Sequence, residues 1–202
     1  MPVIENTPAL LALWAVIGYI LGSIPFGMVL AKIMGLGNLR EIGSGNIGAT
    51  NVLRTGNKLA AALTLLLDGG KGVVAVLAAR AAGGEDLAQT AGLFAMIGHC
   101  YPVWLKFAGG KGVATFLGIL LALNFWVGLA CCMAWLAGAL ASRISSMGAL
   151  VSAAASVPLM YLLGYPSGVV FAALLAALIY WRHRENIARI RTGTEPKIGQ
   201  KK

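Results

Sequence analysis

Charge is the scarcest property of this chain. Of its 202 residues, 11% are Asp, Glu, Lys or Arg, against about 25% in an ordinary soluble domain. So few charges cannot cover a water-facing surface, whereas a surface facing lipid needs none. Carboxylates are scarcer still, 7 against 16 basic residues, which argues against a hard-cation site built from acidic oxygens. Cysteine occurs at Cys100, Cys131 and Cys132, in or beside apolar runs and never as CxxC. Neither a disulfide framework nor a thiolate metal cluster is indicated, and packed small hydrophobes remain. The tail ahead of the first apolar run, MPVIENTPA, has no Lys or Arg. It lacks the basic region of a secretory signal, so that run is expected to be a retained span. No G-x-S-x-G elbow is found. Neither histidine has an aspartate five positions on, since Trp104 follows His99 and Ala188 follows His183 at that spacing.

What is abundant is apolar: 58% of residues are hydrophobic and the mean hydropathy is +0.80. A helix crossing the hydrocarbon core needs about 20 such residues. Apolar runs between Gly, Pro, Asn and Ser breaks predict spans over 10–31, 58–82, 87–106, 113–124, 127–141, 147–163 and 168–181. The expected fold is an all-α polytopic membrane protein of seven transmembrane helices, some of them short, forming one integral-membrane domain over 1–202. The stretch Val113–Ala141 decides the parity. It is too long for one straight span and barely enough for two, and Asn124 is its candidate turn.

Charge then orients the chain. With seven spans, every basic residue except Arg80 and Lys71 falls on one side, 14 of 16, with Lys201 and Lys202 at the far end of that group. The other side holds Arg80 with Glu5, Glu85 and Asp86. The positive-inside rule places the N-terminus outside and the C-terminus in the cytoplasm. A net charge of +9 is accounted for by these loops without a nucleic-acid partner.

Two loops on that basic side are built like anion sites. GSGNIGATNVLR, at 43–54, sets Gly43, Gly45 and Gly48 among Ser44, Asn46, Thr50 and Asn51 and ends on Arg54. Glycines let successive N–H groups converge on an anion, short polar side chains add donors, and arginine supplies a fork matched to phosphate. AGGKGVAT, at 108–115, places Lys111 among Gly109, Gly110 and Gly112, just ahead of a helix start at Val113. It is not a nucleotide-binding P-loop, because no glycine stands five residues before Gly110 and Lys111 is not followed by Ser or Thr. GGKGV recurs at 69–73, where Asp68 and Lys71 share a helix face inside a span and are expected to pair or to face a polar interior. Ser145 and Ser146 stand at a helix start, where serine usually caps. His183 and Asn186, three apart, share a helix face. His99 reads as an interior histidine.

The chain resembles the bacterial acyl-phosphate-dependent glycerol-3-phosphate acyltransferases, the PlsY family. The resemblance rests on GSIPFG at 22–27, GSGNIGATNVLR at 43–54, LDGGKG at 67–72, GHCYPVWLKFAGGKGVAT at 98–115 and HRENIARIRTGTE at 183–195. They are spread in order along the chain from residue 22 to residue 195. RISSMGAL matches the family's serine segment loosely, with Ser146 the matching serine. The resemblance implies acyl transfer from acyl phosphate to glycerol 3-phosphate at the cytoplasmic boundary of an inner membrane, with membrane lipid around it and no cofactor, metal or acyl-CoA. It implies Ser44, His183 and Asn186 as catalytic, Arg54, Lys111 and Ser146 as further site residues, with Arg54 and Lys111 on phosphate, and Gly110 and Gly112 as backbone donors. Gly45, Asn46, Thr50 and Asn51 complete the first anion loop. A transporter or channel for a phosphorylated solute would use similar loops, and a purely structural membrane subunit is a weaker alternative.

The seven-span reading predicts that a cysteine placed at Ser145 reacts with an impermeant thiol reagent only from the cytoplasm. One placed at Gly84 reacts only from outside. Labelling of position 145 from outside would remove the two-helix reading of 113–141.

Overall fold

Proline, asparagine and glycine punctuate a chain whose described part, residues 2–199 of the computed structural model, is helical and irregular, with no strand. Lys201 and Lys202, counted above with the basic loops, lie outside the described residues. The helices are α1 (Pro8–Ser23), α2 (Phe26–Ile33), α3 (Ala49–Val52), α4 (Lys58–Gly83), α5 (Glu85–Cys100), α6 (Val113–Leu123), α7 (Phe125–Ser142), α8 (Ser145–Leu162), α9 (Val169–Arg182) and α10 (Arg184–Arg191). Four helical stretches, Pro8–Ile33, Lys58–Gly83, Phe125–Ser142 and Ser145–Leu162, are long and apolar enough to cross a membrane. The bent pair α9–α10 makes up to five. Each of the seven stretches expected from hydropathy contains a helix, with a break inside 10–31 and an early end in 87–106. Seven crossings and the orientation of the termini remain expectations.

Local chemistry sets the boundaries. Thr7 caps α1 through its side chain onto the Leu10 amide, with Pro8 in the first turn. The stretch read as one span over 10–31 is interrupted at Ile24–Pro25, because Pro25 has no N–H to continue the ladder. Asn57 caps α4 by accepting from the Ala60 amide at 2.9 Å. α5 stops at Cys100 rather than running to 106, since Pro102 follows and the chain turns through a 3₁₀ segment at Val103–Leu105. Asn124 divides α6 from α7 as expected, its side chain accepting the Val127 amide at 3.1 Å. The segment α3 was not anticipated, whereas α10 falls where His183 and Asn186 were read as sharing a helix face, although His183 precedes its first turn.

The chain folds as two compact units that meet in sequence at Leu123–Asn124. In the unit beginning at Pro2, α1 lies tightly on α5: a Cβ on Gly22 would overlap the Ala95 backbone, and one on Gly98 would overlap the Tyr19 carbonyl. Small residues allow that approach, and close packing is what drives helix association where lipid competes for apolar surface. Ala75, Ala79, Leu87, Ala91 and Ala95 form the core beneath it. The short helix α6 packs on α4, where a Cβ on Gly118 would strike the Gly69 carbonyl. Its C-terminal carbonyls are held by Arg80, whose guanidinium donates to Ala122 O at 2.6 Å and Leu123 O at 3.0 Å while pairing with Glu85. In the unit from Asn124 onward, α7 and α8 pack through Gly138 and Gly148. The hydroxyl of Ser152 donates to Cys131 O at 2.8 Å, and Tyr180 of α9 donates to Leu150 O at 3.2 Å. Cys100 and Cys131 are buried and Cys132 half-buried, as packed thiols.

Arg80→Met should therefore destabilise the protein by about 2 kcal/mol, since charged hydrogen bonds to otherwise unpartnered helix-end carbonyls are lost. Glu85→Gln should cost less than about 1 kcal/mol, because that ion pair is partly exposed. Thermal unfolding in detergent distinguishes the two. Equal losses would place the energy in the ion pair instead of the cap.

Candidate active site

In the first unit the loop at 43–54 is organised by a residue that composition alone does not single out as its centre. Asn51, buried at the end of α3, accepts at its side-chain oxygen from the Ser44 amide at 3.0 Å, the Ser44 hydroxyl at 3.3 Å and Arg54 Nη1 at 3.3 Å. Its amide nitrogen donates to Leu39 O at 3.0 Å. Ser44 and Arg54, both exposed, are thus tied to one buried side chain. Gly43 has φ +53°, and a Cβ there would lie 2.5 Å from Arg54 Cδ and 2.7 Å from Asn51 Oδ1. Glycine at this position is what lets the guanidinium fold over the loop. Asn46 is half-buried and Thr50 exposed, and neither takes part in the bonds to Asn51 just described. The Gly45 amide closes a turn onto Ile42 O at 2.9 Å.

The second loop lies beside the first. Arg40 donates through Nη1 to Gly45 O at 3.2 Å and through Nη2 to Ala108 O, so one side chain joins the loop of Ser44 to the loop of Lys111. Gly109 and Gly110 donate their amides to Cys100 O and His99 O, each at 3.1 Å. These amides therefore hold the loop in place, while Lys111 is half-buried and Gly112, at φ +83°, turns the chain into α6. The first turn of α6 follows Lys111 directly, as the sequence suggested.

In the second unit, Ser146, Asn186 and Arg189 converge on Glu195, a residue assigned no role from the sequence. Ser146 Oγ donates to Glu195 Oε1 at 2.7 Å, Asn186 Nδ2 to the same oxygen at 2.5 Å, and Arg189 Nε to Oε2 at 2.7 Å. The expectation that serine caps α8 is corrected: the N-cap is Ile144 without a side-chain bond, and Ser146 reaches Glu195 instead. His183 lies at the junction of α9 and α10, bent by 62°, so it precedes the helix that carries Asn186. Both are buried. His183 Nδ1 lies 2.8 Å from Ile179 O. A carbonyl only accepts, so Nδ1 carries the proton and Nε2 is the nitrogen that can hold a lone pair. Burial would raise the Glu195 carboxyl, but donation from Ser146, Asn186 and Arg189 and the Arg189 charge outweigh it and hold the group below its ordinary value of 4.5. The tail then returns to the α7–α8 turn through the Ile198 amide on Arg143 O at 2.7 Å.

The family model for glycerol-3-phosphate acyltransferase matches residues 12–193, spanning both units. The chain belongs to the glycerol-3-phosphate acyltransferase family. It is 82% identical to a glycerol-3-phosphate acyltransferase of Roseobacter denitrificans over 98% of this chain and 100% of that one. With its counterpart in Ruegeria pomeroyi it shares 65% over 100% and 99%. It is similar to the crystal structure of PlsY (YgiH), an integral membrane glycerol 3-phosphate acyltransferase, in its glycerol 3-phosphate form. That match has a TM-score of 0.89 and 39% identity, and covers 94% of this chain and 96% of the other. Against the lysophosphatidic acid form the TM-score is 0.85, with 37% identity over 94% and 95%. The loops described above all lie inside the matched region, apart from Glu195 and the tail beyond it.

Because Glu195 titrates below its unfolded value, its stabilisation of the segment 183–198 is complete above pH 4.5 and fades as pH falls through the lower folded value. Amide protection factors across 184–198, corrected for the intrinsic pH dependence of exchange, should fall on acidification in the wild type. Glu195→Gln should show low protection throughout and lose that pH dependence. An unchanged exchange profile in the variant would show that Glu195 does not hold this segment.

Proposed function

We propose that this family member transfers a fatty acyl group from acyl phosphate to glycerol 3-phosphate, releasing inorganic phosphate and lysophosphatidic acid in the first acylation of phospholipid synthesis. We place it in a bacterial inner membrane with seven spans, N-terminus outside, and its loops at 43–54 and 108–112 on the cytoplasmic face. The observation that carries the reading is Asn51 fixing Ser44 and Arg54 on one buried side chain, beside the Lys111 loop that Arg40 ties to it. Two cations and a hydroxyl gathered at adjoining loops suit a substrate with phosphate on it, and the solved relative named above was crystallised in a glycerol 3-phosphate form.

In this reaction the glycerol hydroxyl oxygen attacks the acyl carbonyl carbon. The bond from that carbon to the phosphate oxygen breaks, and phosphate leaves with the electron pair. Acyl phosphate is a mixed anhydride with a good leaving group, so positioning and charge stabilisation can supply most of the catalysis. Arg54 and Lys111 hold phosphate, with Gly45, Asn46, Thr50, Asn51, Gly110 and Gly112 shaping the loops around it. The hydroxyl proton passes to the phosphate of glycerol 3-phosphate itself. His183, with Nε2 as its basic nitrogen, is the rival base, and its removal would then abolish turnover at every pH. The family resemblance also makes Ser146 and Asn186 site residues, and both are held by Glu195. A transporter needs polar groups open at the midplane, but Asp68 and Lys71 are buried and closed on each other at 3.1 Å.

Arg54→Ala and Lys111→Ala should each cut kcat/KM by at least about tenfold without unfolding the protein. Arg54→Lys should recover only part of the loss, since Lys lacks the planar fork. The same purified enzyme should show no transfer from acyl-CoA. With radiolabelled acyl phosphate alone it should carry no label after denaturation. Stable label on Ser44 or Ser146 would replace direct transfer by a two-step route, and near wild-type turnover in both alanine variants would remove the phosphate-site assignment.

A further inference from the structure

The loop that carries Lys111 rests on a buried histidine. The imidazole of His99 fills the space a side chain at Gly110 would need: a Cβ there would overlap Nε2 and lie 3.1 Å from Cδ2 and Cε1. The His99 carbonyl takes the Gly110 amide at 3.1 Å. On the far side of the ring, His99 Nδ1 lies 3.7 Å from Asp68 Oδ1. The same oxygen pairs with Lys71 Nζ at 3.1 Å, and that ammonium donates to Ile24 O at 2.7 Å. Ile24 stands at the α1–α2 break, where Pro25 has taken its carbonyl out of a regular helical ladder. The other end of the loop returns to the same place, because Thr115 Oγ1 in the first turn of α6 donates to the Asp68 carbonyl at 2.8 Å. All these side chains are buried.

We propose that Asp68, Lys71 and His99 form a buried positioning network that holds the Gly109–Gly112 loop so that Lys111 meets phosphate. The proposal rests on the phosphate role assigned to Lys111 above. Asp68 bears on the loop at both ends, its carboxylate facing the ring beneath Gly110 from 3.7 Å, beyond hydrogen-bond length, and its carbonyl accepting from Thr115 at 2.8 Å. A cluster serving stability alone has no need of this chemistry. Replacing a buried ion pair with apolar residues of like volume is often neutral or stabilising, because desolvation offsets much of the attraction. What apolar residues cannot do is orient an imidazole ring. The two GGKG segments thereby take different parts: 109–112 presents Lys111 at a loop, and 69–72 carries Lys71 inward to hold that loop's foundation.

The test uses the full chain in detergent, with His99→Gln and the volume-conserving pair Asp68→Asn/Lys71→Met, each alone and combined with Lys111→Ala. Both variants should keep a cooperative thermal transition while amide exchange at 109–113 accelerates about tenfold. kcat/KM for glycerol 3-phosphate should fall about tenfold, and in the Lys111→Ala background the further loss should be less than about threefold, since residues acting through one another are not additive. The network is overturned as a positioning device if the losses multiply in that background, if loop exchange stays at the wild-type rate, or if both variants lose the thermal transition, which would make it a structural staple. Failure of the wild type to turn over acyl phosphate and glycerol 3-phosphate would instead overturn the proposed function, and loop exchange would still report on the network.

Discussion

The ion pair between Asp68 and Lys71 is the point on which the first unit turns. Two charges inside an apolar helix are costly unless each finds a partner, and these partners come from separate elements. Lys71 reaches the carbonyl left over where α1 breaks, and Asp68 faces His99 on α5 while its own carbonyl receives Thr115 of α6. Four helical elements thus meet at one pair of residues three apart, α6 through the Asp68 backbone and the others through the two side chains. In a lipid environment, where helices gain little by hiding apolar surface from one another, such specific polar contacts and close backbone approach set the arrangement.

That registration permits helices too short for an ordinary span. α6 has 11 residues, and a helix so short exposes a large share of unpartnered backbone at its ends. Gly112 turns the chain into it at one end, and Arg80 covers two of its last carbonyls at the other, with Asn124 opening α7 directly afterwards. The close fit of Gly118 on the Gly69 carbonyl shows why glycine recurs at this face: a larger side chain would push α6 off α4 and take the Lys111 loop with it.

The helical skeleton was legible because hydropathy and punctuation are local. Asn124 was recognisable as a break, and the loops of Ser44 and Lys111 declared themselves through glycine, short donors and cations. What escaped depends on partners distant in sequence. Arg40 looked like one more topogenic charge until its bonds to Gly45 O and Ala108 O placed it between the two loops. Glu195 stood in a recognised motif, yet nothing within the motif says that its carboxylate collects Ser146 from 49 residues away. Ser146 was misread as a cap for the same reason, since a cap is the local answer to a serine at a helix start. The break at Ile24–Pro25 sat in plain view in GSIPFG, but the run of apolar residues on both sides outweighed it.

Both units follow one rule in preparing their polar residues. In each, one acceptor side chain gathers several donors: Asn51 holds the exposed Ser44 and Arg54, and Glu195 holds the buried Ser146 and Asn186 with half-buried Arg189. With the acyl-phosphate donor proposed above, no strongly activated nucleophile is needed, and the rate would depend on how little the donors must reorganise when charge moves to the leaving group. Long side chains such as arginine lose considerable rotamer freedom when a ligand fixes them. Binding them in advance to a neutral amide or a carboxylate removes much of that loss before substrate arrives. The difference between the two acceptors is also consequential. A neutral Asn51 leaves the positive charge of Arg54 undiminished for phosphate, whereas an ionised Glu195 neutralises Arg189. The first cluster is therefore the one whose electrostatics suit it to a phosphate, and the second is the one suited to fixing hydrogen-bond geometry.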